Sequence, residues 1–138
     1  MSEQVIIIDG NNFSTLDEFW DEVTRLFDLG EYFGRNMDAL EDFLIGEHIV
    51  WVNATKSKKE LGYEATARFW EEAYKKCPAD ALYESNRNFI KSNIDSAQKQ
   101  KGQTLFDMLG DCIRRWNTLT VYDDYPESVM QLVEQGER

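Results

Sequence analysis

The hydrophobic positions of this chain alternate between short unbroken runs and longer stripes with helical spacing. Val5 to Ile8 is an apolar run closed by Asp9-Gly10. Such a run is too short for a helix and too uniformly apolar for a half-exposed strand, so it reads as a strand buried on both faces of a parallel sheet. Ile49 to Val52 repeats the pattern, and Thr118 to Tyr122 gives a third strand. After the first run, Thr15 and Glu18 form a capping box, and Leu16, Phe19, Trp20, Val23, Leu26 and Phe27 recur at helix spacing until Gly30. Phe19 and Trp20 are therefore read as core. Asn36, a strong capping residue, starts a shorter helix at Met37 that Gly46 is expected to stop. Further on, Ala65, Phe69, Ala73 and Cys77 share one side of a helix ended by Pro78. Leu105, Met108, Leu109, Cys112, Ile113 and Trp116 form the last strong stripe, capped by Thr104.

The polar stretches fill in the rest. Residues 56–60, KSKKE, are a basic island expected as a solvated loop. Ala81 to Lys101 is polar and mixed, anchored by Tyr83, Phe89 and Ile94, and is expected as a helix of modest stability or a partly mobile excursion. Arg87, Lys91, Lys99 and Lys101 bias it basic, but it lacks the clustered aromatics on which single-stranded nucleic acid stacks. A tail helix is expected over Glu127 to Gln135, with Gly136 as its stop. The element order gives an α/β class, a three-stranded parallel sheet packed with helices. One domain over residues 1–138 is expected, enlarged by a helical insertion at about 61–103 and a C-terminal extension at about 123–138.

Charge narrows the partners. A net charge of −11 and a pI near 4.5 argue against direct binding of nucleic acid or an anionic membrane, since phosphate recognition needs Lys and Arg. They favour a basic partner. Hydrophobic content of 42% excludes wholesale disorder, and no segment approaches the ~20 apolar residues of a membrane span. The opening MSEQVIIIDG has no basic region before its apolar run, so a cytoplasmic location is expected. Cys77 and Cys112 are isolated thiols without a Cys-x-x-Cys, and neither a disulfide nor a zinc site is expected. The sole histidine, His48, adjoins the second strand rather than a nucleophile signature and is read as structural. There is no HExxH, P-loop or Gly-x-Gly-x-x-Gly, so no catalytic residue, metal or cofactor is assigned, and the protein is not expected to be an enzyme.

The chemistry concentrates in residues 31–44, EYFGRNMDALEDFL. On a helix from Met37, the residues Met37, Leu40, Phe43 and Leu44 share one side, while Asp38, Glu41, Asp42 and Ile45 share another. Asp38 and Asp42 are i and i+4 and repel by a few tenths of a kcal/mol. Asp38 is partly offset by the positive end of the helix dipole. An acidic stripe is ordinarily a solvated face. Here Tyr32 and Phe33 precede the cap and Ile45 lies among the acids, mixing apolar area with charge as recognition surfaces do. Two aspartates on one helix could also hold a divalent cation or act as general acid and base, which would need donors converging in a shared pocket.

The run Glu-Tyr-Phe-Gly, the Asn cap and two Asp four apart resemble the signature of the barstar family, intracellular inhibitors of the ribonuclease barnase. The resemblance extends back through a first strand and a first helix, forward through Ile49 to Asn53, and resumes with the helix from Thr104 and the strand from Leu119. Leu61 to Gln103 and the tail after Asp123 have no counterpart in the compact family member. The resemblance implies an inhibitor or immunity protein whose acidic helix occludes a basic nuclease site, its carboxylates standing in for substrate phosphate. On that basis Asp42 matches the dominant acid, Asp38 joins it in pairing with active-site cations, and Tyr32 stacks on the partner. Phe33, Arg35, Asn36, Glu41 and Ile45 complete the contact set, and Asp111 supplies a second acidic contact from the late helix. Glu41 departs from the pattern, since the compact member has Trp there. The expected partner is a basic ribonuclease or RNase toxin domain, with a monomer favoured. The alternatives are an adaptor or regulatory module that binds another basic protein, and a carboxylate-based metal binder or enzyme.

Overall fold

The structure, a computed structural model, describes residues 5–136. The chain divides into two compact units, one formed by Met1–Glu60 with Leu109–Arg138 and the other by Leu61–Met108.

The first unit is built on three parallel strands, β1 (Val5–Asp9), β2 (His48–Val52) and β3 (Thr118–Val121), in the order β1-β2-β3. The three-stranded parallel α/β sheet read from the sequence is thus present. Val5 lies beside His48, and His48 beside Thr118. The central strand is the most buried, with Ile49 to Val52 all inside. Burial of β1 on both faces, expected from its apolar run, does not hold: only Ile8 is fully enclosed, because β1 is an edge strand.

Side chains alternate across the sheet, so β2 feeds two different cores. Trp51 points to an aromatic cluster in which Phe19 stacks on it with ring centroids 5.4 Å apart, and Phe13 meets both rings edge-on. Trp20 meets Phe19 edge-on, as the helical stripe implied. Val50 and Val52 face the other way, onto Val129, Val5, Ile7, Tyr122 and Tyr125. Helix α1 (Leu16–Phe27) is fixed at its start by the capping box: Glu18 N donates to Thr15 Oγ1 at 3.2 Å, and Ser14 N donates to Glu18 Oε1 at 2.7 Å. Its buried Glu22 accepts from Asn12 Nδ2 at 2.7 Å and from the Arg25 guanidinium, so the carboxylate is paired where it is least hydrated. After α1 comes α2 (Met37–Phe43), whose cap and start agree with the sequence reading.

KSKKE is not a loop. Residues Ala54–Glu60 form helix α3, with Ser57 buried and donated to by Trp51 Nε1 at 3.0 Å. Its orphan first-turn amides find acceptors in the segment after β3: Asn53 N donates to Asp124 O, Ala54 N to Tyr122 O and Thr55 N to Asp123 O. Lys56 reaches the Gly10 and Phe13 carbonyls at 3.2 and 2.6 Å, Ser14 Oγ at 3.0 Å and Glu60. Lys56 thus ties the helix to the turn after β1, while Lys58 and Lys59 stay exposed.

The second unit contains α4 (Tyr63–Lys76) and α5 (Glu84–Gln98), followed by the opening residues of α6 (Leu105–Arg114). The expected insertion at about 61–103 falls inside this unit, which spans Leu61–Met108. The segment expected as a modest helix or a mobile excursion is a regular helix whose N-terminal half is tied: Arg87 donates to the Pro78 and Asp80 carbonyls, and Phe89 meets Trp70 edge-on at 5.8 Å. Leu105 N donates to buried Thr66 Oγ1 at 2.8 Å, and Asp107 N to Thr104 Oγ1 at 3.2 Å, the expected cap. In the first unit, α7 (Glu127–Gly136) docks through Val129, 2% exposed, which answers what the sequence left open about the tail.

Candidate protein-binding surface

The turn before α2 is held by backbone geometry that few residues adopt. Asp28, Gly30 and Arg35 all have positive φ, at 50°, 69° and 53°. Arg35 is anchored in that conformation by its guanidinium, which donates to Asp21 Oδ1 at 2.8 Å and to Asp17 O at 2.9 Å on α1. Asn36 then caps the helix, its Oδ1 accepting from Ala39 N at 2.8 Å. Both residues shape the turn. Their polar atoms are engaged in that task.

Leu40 and Leu44 are buried, and this apolar side fixes the rotation of α2. The opposite side carries Asp38 and Asp42 into solvent. Tyr32, 90% exposed, stands in the turn before the helix. Two candidates differ from expectation. Phe33, grouped with Tyr32 as surface area, is 4% exposed and packs edge-on against Trp20 and Phe43, so it supports the surface from inside. Ile45 is exposed but not on the helix, because α2 ends at Phe43.

The early stop has a clear cause. Gly46 N donates to Trp116 O at 2.8 Å, Glu47 N donates to Asn117 Oδ1 at 2.8 Å, and Asn117 Nδ2 donates to Leu44 O at 2.8 Å and Ile113 O at 2.9 Å. These bonds draw the chain away before another helical turn forms. The same Asn117 accepts the role of C-terminal partner for α6, which ends at Arg114 instead of reaching Trp116. Trp116 is consequently 53% exposed, although the sequence stripe counted it as core.

Asp111 joins the acidic residues of α2 electrostatically. Cys112, on α6, has its thiol pushed up to about 11, first by burial and then by the fields of Glu41, Asp111 and Asp38. Glu41 is half-buried and lies 3.8 Å from Arg115 Nε, and Asp111 lies 3.9 Å from Arg114. Trp116, Asn117 and Arg115 were not among the sequence candidates. The only available signal was their clustering as Arg114-Arg115-Trp116-Asn117 at the end of an apolar stripe. Among the described residues, no group of three or more His, Cys, Asp and Glu is arranged to hold a metal ion. Nor is any helix long and apolar enough to cross a membrane.

The model of the family described as Barstar (barnase inhibitor) matches residues 3–89, more than half of the chain. The chain belongs to the barstar family. The match contains the whole stretch from Tyr32 to Ile45, and it continues through α4 to Phe89, so part of the segment expected to lack a family counterpart is covered. Asp111 and Trp116 lie beyond it. A Bacillus subtilis (strain 168) protein whose name reads "Putative ribonuclease inhibitor YrdF" is 42% identical over 48 residues. That alignment covers 35% of this chain and 48% of the relative, so the chain spans about half the length of the relative it matches. No solved structure matches the chain.

Proposed function

We propose that this barstar-family protein inhibits a basic ribonuclease, of the kind deployed as a toxin, by placing α2 in its active site as an immunity protein in the cytoplasm of the producing cell. Asp38 and Asp42 take the positions of substrate phosphates against the nuclease's cations, Tyr32 stacks beside them, and Asp111 and Glu41 extend the acidic field. Inhibition is occlusion and involves no chemistry on the partner.

The observation that carries this reading is the distribution of charge. The second unit holds seven Lys and Arg against seven Asp and Glu between Leu61 and Met108 and is neutral, so the entire −11 resides in the unit that presents α2. A cleft that attracts RNA must be positive, and such a partner is steered toward this unit. Glu41, where the compact member has Trp, fits a nuclease other than barnase.

The test is an RNA-cleavage assay against a panel of small basic bacterial ribonucleases, barnase included. Stoichiometric inhibition of at least one, lost in Asp42→Ala, is the expected result. Full activity of every nuclease in the presence of the folded protein overturns the reading in favour of a non-inhibitory adaptor.

A further inference from the structure

We infer that Glu41 and Trp116 together form a cation-binding subsite that selects the nuclease, held in the free protein by the chain's own Arg115. This rests on the proposed inhibitory use of α2 and names a specificity-determining pair within that surface.

The pair is assembled from two distant parts of the chain. Glu41 comes from α2 and Trp116 from the turn between α6 and β3, and the bond from Gly46 N to the Trp116 carbonyl fixes that turn beside the loop leaving α2. A large aromatic that is 53% exposed, on a backbone that is hydrogen-bonded, is presented rather than accidentally uncovered. The guanidinium carbon of Arg115 lies 5.5 Å from the Trp116 ring centroid, and its Nε lies 3.8 Å from Glu41 Oε1. A carboxylate beside an aromatic face is the environment a cation prefers. The 3.8 Å separation exceeds hydrogen-bond length, so Arg115 holds its place loosely. A partner Arg or Lys that approaches with better geometry displaces it, while Arg115 swings into solvent.

The charge logic supports a basic protein as occupant. Glu41 shares α2 with Asp38, three residues earlier and one turn away, and the charges of Glu41, Asp38 and Asp111 all reach Cys112 on α6. Glu41 alone would add one more carboxylate to the field. With Trp116 it adds directional discrimination, because only a cation that reaches both groups gains from both.

The probe is whichever panel ribonuclease binds wild-type protein most tightly, catalytically inactivated and titrated by calorimetry. Trp116→Ala should weaken binding roughly tenfold or more, and Trp116→Phe by less. Arg115→Ala should tighten binding about two- to fivefold beyond the effect of Arg68→Ala, which removes the same charge from the second unit. That extra gain should vanish when Trp116 is already Ala, because the competition for the subsite is gone. Thermal melting of each variant confirms that it is folded. Binding abolished by Asp42→Ala but untouched by Trp116→Ala, or an Arg115 effect that persists without Trp116, overturns the inference alone. Absence of binding to every nuclease overturns it together with the inhibitory reading.

Discussion

Asn117 Nδ2 donates to Leu44 O at 2.8 Å, a bond between residues 73 positions apart that joins the end of α2 to the turn before β3. The same amide donates to Ile113 O, and its Oδ1 accepts from Glu47 N. One side chain therefore satisfies three backbone groups on two connections. Asn117→Ala leaves all three without that partner, and stability should fall by about 2–3 kcal/mol. Urea denaturation measures it, and Asn117→Asp should recover little, since a carboxylate cannot donate to Leu44 O and Ile113 O. A loss below about 0.5 kcal/mol would mean that water replaces the clamp at no cost.

Inhibition through an acidic surface has a kinetic signature. Association with the nuclease should slow steeply with added salt, because unpaired surface charges steer encounter and are screened beyond about 8–10 Å at physiological ionic strength. Removing an exposed acid on another element, such as Glu127 in the first turn of α7, should act chiefly on the association rate. Asp42→Ala should act chiefly on dissociation, since it leaves a partner cation unpaired in the complex. Stopped-flow association and surface-based dissociation measurements separate the two. Equal effects of both variants on dissociation would mean that Asp42 does not touch the partner.

The readable parts of the sequence were those fixed by local rules. The Thr15–Glu18 box, the Asn36 cap and the stripe through Phe19 and Trp20 depend on residues a few positions apart, and each appears as read. The candidate surface was legible to the extent that α2 is amphipathic. Phe33 was misplaced because a lone aromatic in a turn carries no periodicity to say which way it points. α3 was missed because KSKKE is a helix only where the segment 122–124 accepts its amides and where Lys56 finds the Phe13 carbonyl, contacts far away in sequence. Trp116 looked like core because the stripe predicts a face but not where the helix stops, and Asn117 sets that stop.

The Lys56 ammonium is the busiest cation of the first unit's core edge, so removing it is informative. Lys56→Met keeps the aliphatic stem and abandons the Gly10 and Phe13 carbonyls, and should cost about 2 kcal/mol. Its partner Glu60 gives the pH dependence. Burial pushes the Glu60 carboxyl upward, but hydrogen bonds from Lys56 and Ser14 and the charges of Lys56 and Lys59 outweigh it and hold the pKa below 4.5. A depressed folded-state pKa contributes stability above the unfolded value and loses it as pH falls through the folded value. The stability difference between wild type and Glu60→Gln should thus be present at pH 7 and shrink as pH falls below 4.5 toward the lowered folded-state value. A difference that is constant across that range would show that the carboxylate charge contributes nothing.

Cys112 reports on the acidic surface from within. Its thiol titrates near 11 instead of 9.0, with burial the leading cause and the Glu41, Asp111 and Asp38 carboxylates adding to it, while Arg115 pulls the other way. At pH 8 its thiolate population is then roughly a hundredfold below that of an ordinary cysteine, because each unit is a factor of ten. In a Cys77→Ser background, the rate of alkylation by iodoacetamide should rise with a midpoint near 11. Glu41→Gln removes one opposing charge and should lower that midpoint, whereas Arg115→Ala removes a favourable one and should raise it. The same sign governs stability: the unfolded chain releases this proton first, so as pH climbs from 9 toward 11 the folded state loses ground. An alkylation midpoint that stays put in both variants would separate Cys112 from Glu41 and Arg115 and leave burial, with Asp111 and Asp38, as the cause of the shift. Movement in opposite directions would establish that the carboxylates of α2 and the cation beside Trp116 act on one shared patch of surface.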